Sequence, residues 1–400
     1  MPLVLVLNSG SSSLKYELLD MTGPTSLASG LVERIGEDMS RLTHGDLVIE
    51  RPMADHREAF AAMAEAFDAT VPIPEAALTA VGHRVVHGGD RFAAPAVIDR
   101  EVIAAIEACI PLAPLHNPAN LLGIDVAMRG YPDVPHVAVF DTAFHQTMPE
   151  SSYRYGLERS VADAERIRRY GFHGTSHSYV SRVAVEYLGL DPQAARVITL
   201  HLGNGASACA VHGGRSVDTS MGMTPLAGLV MGTRTGDIDP GVLLHLLRGG
   251  MTVDELDGLL NKRSGMKGLA GENDLRQVHA AIADGDDAAR AALDVYVHAI
   301  RHYVGAYLVE LGGADAVVFT AGVGENDATV RAAVCAGLAG LGIELDEQAN
   351  CAARGLADIA TADSPVRVLV VPTDEEQEIA REALRALASP GRIGEHTGHP

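Results

Sequence analysis

Only three lysines occur in these 400 residues, and one of them, Lys15, follows closely on the run Asn8-Ser9-Gly10-Ser11-Ser12-Ser13. Gly10 lets backbone N–H groups approach a ligand, the serines add donors suited to phosphate oxygens, and Lys15 adds a mobile point charge. A polar hairpin with a solvated lysine is the alternative. It is not a P-loop, because Gly-x-x-x-x-Gly-Lys-[Ser/Thr] occurs nowhere and the pattern predicts a strand, not a helix, after the turn. A second turn, His201-Leu202-Gly203-Asn204-Gly205-Ala206-Ser207, repeats this design with neutral donors. A third, Gly322-Val323-Gly324-Glu325-Asn326, is predicted as a loop between a strand and a helix from about Asp327. It lacks the third glycine of a dinucleotide fingerprint, yet a glycine turn at a helix N-terminus suits a nucleotide's sugar or phosphates.

Two arginines stand in glycine-punctuated stretches. Arg84 lies in Gly82-His83-Arg84-Val85-Val86-His87-Gly88-Gly89, and Arg234 in Met231-Gly232-Thr233-Arg234-Thr235-Gly236, ahead of Asp239-Pro240, an N-cap with proline at N1. A guanidinium fork grips a carboxylate or a transferring phosphoryl group at two points, and surface salt bridging is the other reading. His173, between Gly171-Phe172 and Gly174, could donate from a neutral imidazole to a phosphoryl oxygen or be a satisfied core histidine, and His116 is equally open. Asp141 follows a predicted strand at its carboxyl edge, where α/β sheets bind ligands, though an N-cap role is open too. Thr373 and Glu376 have capping-box spacing, which leaves Glu375 free for another task.

The elements that must position these groups read as α/β. Buried strands are predicted at Leu3–Leu7, Ala80–Val86, Val137–Phe140, Arg196–Leu202, Ala316–Thr320 and Val366–Val371, alternating with helical patterns. Asp55-His56-Arg57-Glu58 is a predicted capping box leading a face of Phe60, Met63, Ala64 and Phe67. A longer helix is predicted from near Asp286, with Val295, Ala299, Val304, Leu308 and Leu311 on its face. The tail Ser389–Pro400 reads as frayed. The hairpins after Leu3 and Arg196 echo one another, which fits either an internal duplication or convergent turn chemistry.

Composition bounds the function. A formal net charge of −21 argues against nucleic-acid or anionic-membrane partners. Four scattered cysteines without a Cys-x-x-Cys pair fit reduced thiols in a cytoplasmic protein. No apolar run approaches the ~18 residues of a membrane span, and the short N-terminal run lacks the basic leader of a signal peptide.

In chain order, Asn8–Lys15, Gly82–Gly89, Leu115-His116-Asn117-Pro118, Phe140-Asp141-Thr142-Ala143-Phe144-His145, the His173 block, His201–Ser207, Gly232–Pro240, Gly322–Asn326 and Thr373–Glu376 resemble the motif series of the acetokinase family, over about residues 3–388. That family includes acetate, propionate and butyrate kinases, and the blocks look most like the acetate kinases. The resemblance implies a duplicated two-domain, actin-like and sugar-kinase-like α/β fold with an interdomain active-site cleft. It implies domain I at 1–142 plus the returning C-terminal segment 377–400, domain II at 143–376, and a homodimer. The implied reaction is Mg²⁺-dependent phosphoryl transfer from ATP to acetate, with Mn²⁺ as the other candidate metal.

Carried over position by position, the resemblance puts the metal on Asn8 and Glu375, and acetate's carboxylate on Arg84. The methyl pocket falls on Val86, Leu115, Phe172 and Pro225. Nucleotide contacts fall on Lys15, on His201, Leu202, Gly203, Asn204 and Gly205, on Asp274, Leu275 and Arg276, and on Gly322, Val323, Gly324, Glu325 and Asn326. His173 and Arg234 match the groups that stabilise the transferring phosphoryl, and Asp141 the residue assigned acid/base work. Because acetate is already ionised at pH 7, Asp141 is expected to orient a metal-bound water or an arginine instead. Thr235, Asp374 and the stretch Gly271-Glu272-Asn273-Asp274 depart from the commoner pattern. The competing readings are a propionate or butyrate kinase, and an ATP-gated actin-like binding module.

Overall fold

The computed structural model describes residues 2–23, 25–72, 77–114 and 116–388. Leu115 and the tail 389–400 lie outside the described residues. The chain divides into two compact units, one formed by Met1–Gln146 with Asp374–Pro400, the other by Thr147–Thr373.

The first unit is built on strands β1 (Leu3–Ser9), β2 (Ser13–Asp20), β3 (Thr25–Glu33), β4 (Ser40–His44), β5 (Leu47–Arg51), β6 (Leu78–Val85), β7 (Ala96–Val97) and β8 (His136–Phe140), in the order β5-β4-β3-β2-β1-β6-β8-β7. The β1 sequence is apolar without alternation because both of its faces are covered. Leu5 and Leu7 pack with Phe60, Met63 and Phe67 of the helix His56–Ala69, whereas Val4 and Val6 pack with Ile379, Ala380 and Ala383 of the helix Glu375–Ala388. The second unit carries β9 (Arg196–Leu202), β10 (Ala206–His212), β11 (Arg215–Thr219), β12 (Ala316–Thr320), β13 (Ala357–Asp358) and β14 (Arg367–Val370), in the order β11-β10-β9-β12-β14-β13.

These orders are one pattern used twice. In the first unit β1, β2 and β3 pair antiparallel in succession, β6 joins β1 in parallel, β8 joins β6 in parallel, and β7 closes the edge antiparallel. In the second unit β9, β10 and β11 do the same, followed by β12, β14 and β13 with the same senses. The sequence order of the six strands is also the same. Convergent turn chemistry explains two similar hairpins but not six strands in one order, so the echo is a duplication.

Four local expectations change. Asp55 caps the helix His56–Ala69, but the Glu58 carboxylate accepts from Ala54 N, one residue before the capping-box position, and Ala64 is exposed beside the buried Ala62 and Ala66. The helix Asp287–Glu310 does start on an Asp286 cap. Its buried face, however, is Ala289, Ala292, Tyr296, Val297, Ile300, Val304 and Tyr307, and Val295 is 46% exposed. The tyrosines supply apolar bodies that outweigh the aliphatic stripe. Residues 322–326 are no loop but part of a short helix, Ala321–Asn326, directly after β12. Finally, the C-terminal helix is capped by Asp374, whose Oδ1 accepts from Gln377 N, and not by a Thr373–Glu376 box.

One buried pair makes the first unit acid-sensitive. On neighbouring strands His83 and His136 lie nitrogen to nitrogen at 2.9 Å, and His136 Nε2 donates to Tyr131 O at 3.1 Å. That fixes one proton per ring, with His83 Nε2–H donating to His136 Nδ1. Burial, with the neighbouring His136, pushes the His83 ring well below the usual histidine range, and burial lowers His136 too. Both stay neutral when folded, whereas in the unfolded chain they take up protons below about pH 6.5. Stability is therefore full above that pH and falls as the pH drops, by up to about 1.4 kcal/mol per pH unit for each ring. Thermal unfolding between pH 7.5 and 5.5 is expected to show this slope, and the double substitution His83→Leu with His136→Leu to flatten it.

Candidate active site

In the first unit the parallel strands end together, and their C-terminal ends carry the charged groups. Asn8 is near the end of β1, Arg84 lies on β6, and Asp141 follows β8, its backbone N–H held by Val85 O at 3.0 Å. Arg84 Nε donates to Asp141 Oδ1 at 2.9 Å and Nη2 to Oδ2 at 2.7 Å, a bidentate fork. Glu375 Oε2 lies 3.7 Å from Nε, and Nη1 reaches Asn8 Oδ1 at 3.5 Å. The Asp141 side chain is 2% exposed, so removing either partner would leave a buried charge unmatched, at a cost of about 3–5 kcal/mol. Burial pushes the Asp141 carboxyl up against the pull of Arg84, and the Glu375 carboxylate adds to the push.

The motif around His116 supports this cluster through its asparagines. Asn120 Oδ1 accepts from Val86 N at 3.1 Å while its amide donates to Ser9 O at 2.8 Å, and Asn117 Oδ1 accepts from His87 N at 3.2 Å. One helix, Asn117–Gly130, thus staples the ends of β1 and β6. Lys15 lies opposite Asn8 in the β1–β2 register, and its Nζ meets Glu376 Oε1 at 2.7 Å. Glu376 is therefore Lys15's partner, not a helix cap.

The first unit offers oxygen donors to a hard cation. Asn8 Oδ1 and the Glu375 carboxylate share the Arg84 surroundings, and no cluster of three acidic, histidine or cysteine ligands occurs among the described residues. Oxygen donors of this kind suit a hard divalent cation, which takes carboxylates together with waters and substrate phosphates.

In the second unit His173 caps the helix Gly174–Leu188 with φ +57°, in the left-handed region that costs a non-glycine residue free energy. Its ring stacks on His201 at 4.1 Å between centroids. His173 Nδ1 and Ser207 Oγ are 2.8 Å apart, Ser207 Oγ and His177 Nε2 also 2.8 Å, and His177 Nδ1 lies 2.7 Å from Thr199 Oγ1. Thr199 Oγ1 also lies 3.5 Å from Cys209 O, so the chain runs from His173 to the strand.

Arg234 meets His173 across a glycine. A Cβ at Gly205 would lie 3.6 Å from both Arg234 Nη1 and His173 Nε2. The turn docks on the Arg234 loop through Gly232 N, which donates to Asn204 O at 2.9 Å, and a Cβ at Gly232 would fall 2.0 Å from Asn204 Oδ1. Arg234 Nη1 donates to Pro225 O at 3.1 Å, and no carboxylate pairs with it among the described residues. Burial lowers its pKa, though a guanidinium stays charged. Phe172 is buried beside His173, whereas Val86 belongs to the first unit at the end of β6.

Two residues escape motif reading. Arg331, 2% exposed, donates to Gly324 O and Glu325 O, both at 2.9 Å, and so holds the short helix that carries residues 322–326. Ser176 joins His201 Nδ1 at 2.8 Å to Thr373 Oγ1 at 2.9 Å, and Thr373 N donates to Glu325 Oε1 at 3.1 Å. Of these two, Arg331 and Ser176, only Ser176, three residues after His173 on one helical face, leaves a sequence signal. Asp274, which the resemblance gives to the nucleotide with Leu275 and Arg276, caps the helix Leu275–Ala283 and is gripped by the exposed Arg276.

The space beside Gly205 gives a direct test. Gly205→Ala puts a methyl at ordinary contact distance from its neighbours, so the melting temperature should hold, while turnover drops at least tenfold because the methyl occupies room an anion needs. Parallel thermal melts and steady-state kinetics check both halves of that expectation.

Known proteins resemble this chain over nearly its whole length. A model of the acetokinase family matches residues 3–381. An acetate kinase of Leifsonia xyli subsp. xyli is 56% identical over 396 residues, covering 97% of this chain and 100% of that protein. One from Clavibacter sepedonicus is 57% identical over 396 residues, with 97% and 100% covered. The crystal structure of Porphyromonas gingivalis acetate kinase matches with a TM-score of 0.92 at 46% identity, covering 97% of this chain and all of that one (100%). A propionate kinase from Francisella tularensis subsp. tularensis SCHU S4 gives 0.90 at 40%, covering 96% and 100%. The duplicated α/β fold is the two-domain, actin-like fold of these kinases, and the chain belongs to the acetokinase family.

Proposed function

We propose that this chain transfers the γ-phosphoryl group of ATP reversibly to acetate, giving ADP and acetyl phosphate. The observation that carries the reading is Arg234, a largely buried guanidinium without a carboxylate, facing His173 across Gly205. A buried cation left unmatched by the protein calls for an anion from the substrate. The relatives' names supply the acyl acceptor.

The chemistry follows from charge. Acetate arrives ionised, so no proton must leave it before attack, and the obstacle is bringing two anions together. Arg84 offers acetate the donor capacity that Asp141 leaves over, chiefly Nη1, while Asp141 fixes the fork and balances its charge. Arg234 and His173 stabilise charge on the equatorial oxygens of an in-line transition state. Asn8 and Glu375 would hold Mg²⁺, which when bound neutralises phosphate charge. Lys15 would exchange Glu376 for a phosphate oxygen. Val86, Leu115, Phe172 and Pro225 would line the methyl pocket, and one methylene there discriminates by only about 1–3 kcal/mol.

A homodimer is part of this reading. The helix Pro240–Arg248 buries none of its residues although its sequence is PGVLLHLLR, and Leu244 is 51% exposed. A cytoplasmic setting is supported by four cysteines, three of them buried and none in a disulfide among the described residues. No helix is long and apolar enough to cross a membrane among the described residues.

Acyl phosphate trapped as hydroxamate, with ATP, Mg²⁺ and acetate, propionate or butyrate in parallel, tests the function. The highest kcat/KM is expected on acetate, a longer acid in first place would make this a propionate or butyrate kinase, and ATP turnover indifferent to any acid would favour a binding module. Arg234→Ala should lower kcat about 10³-fold or more with little change in the acetate KM. In light scattering, Leu244→Asp should halve the native mass.

A further inference from the structure

Ser207 ends the second glycine turn, whose donors the sequence offers to phosphate oxygens. Its surroundings assign it different work. The residue is 0% exposed, and its Oγ lies 2.8 Å from His173 Nδ1 and 2.8 Å from His177 Nε2. Imidazole rings take both sides of the hydroxyl, which leaves a phosphate no access. Behind it His177, also 0% exposed, meets Thr199 Oγ1 at 2.7 Å.

This contact adds something that the other neighbours of His173 do not supply. Stacking on His201, with 24° between the ring planes, restrains tilting but is blind to a half-turn of the His173 ring about Cβ–Cγ. The Nδ1 contact selects one of the two orientations. In that orientation Cε1 and Nε2 face Gly205, where a Cβ would lie 3.6 Å from each of them and 3.6 Å from Arg234 Nη1. The half-turned ring would put carbon where both nitrogens stand. Ser207 also couples the two rings, because a single hydroxyl hydrogen cannot satisfy two bare nitrogens, so at least one of the facing nitrogens carries a proton. The backbone of His173 is itself in the left-handed region, at φ +57°, a conformation that persists only where its surroundings over-determine it.

We propose that Ser207 is a positioning residue for phosphoryl transfer, holding the His173 ring so that Nε2 faces the space beside Gly205 and Arg234. This rests on the phosphoryl-transfer reading above and adds to it a residue that acts only through His173. The hairpin register marks the position independently. His201, sixth of the seven residues of β9, pairs with Ser207, as Asn8, sixth of the seven of β1, pairs with Lys15. The duplicated hairpins thus set a cation at this place in one unit and the support of a histidine in the other.

The test is acyl phosphate formation from ATP and acetate by wild type, Ser207→Ala, His173→Asn and the double variant, with a thermal melt of each. In the wild-type background Ser207→Ala is expected to lower kcat about tenfold or more, with the KM values for ATP and acetate within twofold. In the His173→Asn background the same change is expected to cost less than twofold, because the residue through which it acts is gone. Equal losses in the two backgrounds, a loss carried by KM, or no loss in the first background would each overturn the proposal. If Ser207→Ala does not melt cooperatively, Ser207→Cys carries the same comparison, with a smaller kcat loss expected beside His173 and none beside Asn. Equal losses from the cysteine in both backgrounds would overturn the proposal too. Wild type that forms no acyl phosphate would remove the phosphoryl-transfer reading and this proposal with it, which the variant ratios alone cannot do.

Discussion

A guanidinium taken out of water must meet an anion, and two arginines of this chain meet that requirement in opposite ways. Arg84 has its counter-charge built in, since both oxygens of Asp141 grip its fork where parallel strands end. Arg234 has a backbone carbonyl but no carboxylate, so its anion must come from outside. The first arrangement is a fixed, neutralised anchor with a little donor capacity left over. The second is an electrostatic vacancy. In the proposed reaction the first would hold the carboxylate without gripping it too tightly, and the second would answer charge that develops on the phosphoryl group in the transition state.

The sheets explain why these groups stand where they do. Each unit repeats an antiparallel three-strand meander followed by two parallel strands, and Asn8, Arg84, Asp141 and His201 stand at the carboxyl ends of those parallel sets, whereas His173 precedes the helix Gly174–Leu188 and Arg234 lies on the loop before Pro240–Arg248. In the first unit the cluster is acidic and basic by turns, with Asp141, Glu375 and Glu376 set against Arg84 and Lys15. In the second the same positions carry neutral donors and histidines. Duplication supplied one scaffold, and its two copies were given opposite electrostatic tasks. Stabilisation of His173 then falls to Ser207, His177 and Thr199, a chain that ends on a strand carbonyl and so borrows the rigidity of the sheet.

Much of this could be read from sequence for a physical reason. The parallel strands are buried on both faces, so their apolar runs are continuous, and Arg84 and Asp141 declare themselves as charges at the ends of such runs. The duplication was only half legible, because the hairpins carry the echo while the strand order that settles it is a property of pairing. The buried face of the helix Asp287–Glu310 was misread since Tyr296 and Tyr307 were not counted as core, although their ring bodies fill it. Thr373 and Glu376 have the spacing of a capping box, but each has a partner distant in the chain, Ser176 for one and Lys15 for the other, and Asp374 takes the cap. Local spacing loses here to long-range partners. Arg331 shows the same limit, an arginine inside a helix whose work is done on the carbonyls of a different one.

The central claim is that Asp141 serves Arg84 and moves no proton. Single-turnover phosphoryl transfer to acetate, followed in H₂O and D₂O for wild type and Asp141→Asn, tests it most directly. The account predicts a large loss of rate in the variant and a solvent isotope ratio near one in both proteins, since a charge balance is broken but no proton is in flight. A ratio well above one in wild type that disappears in Asp141→Asn would contradict it and make Asp141 a general base.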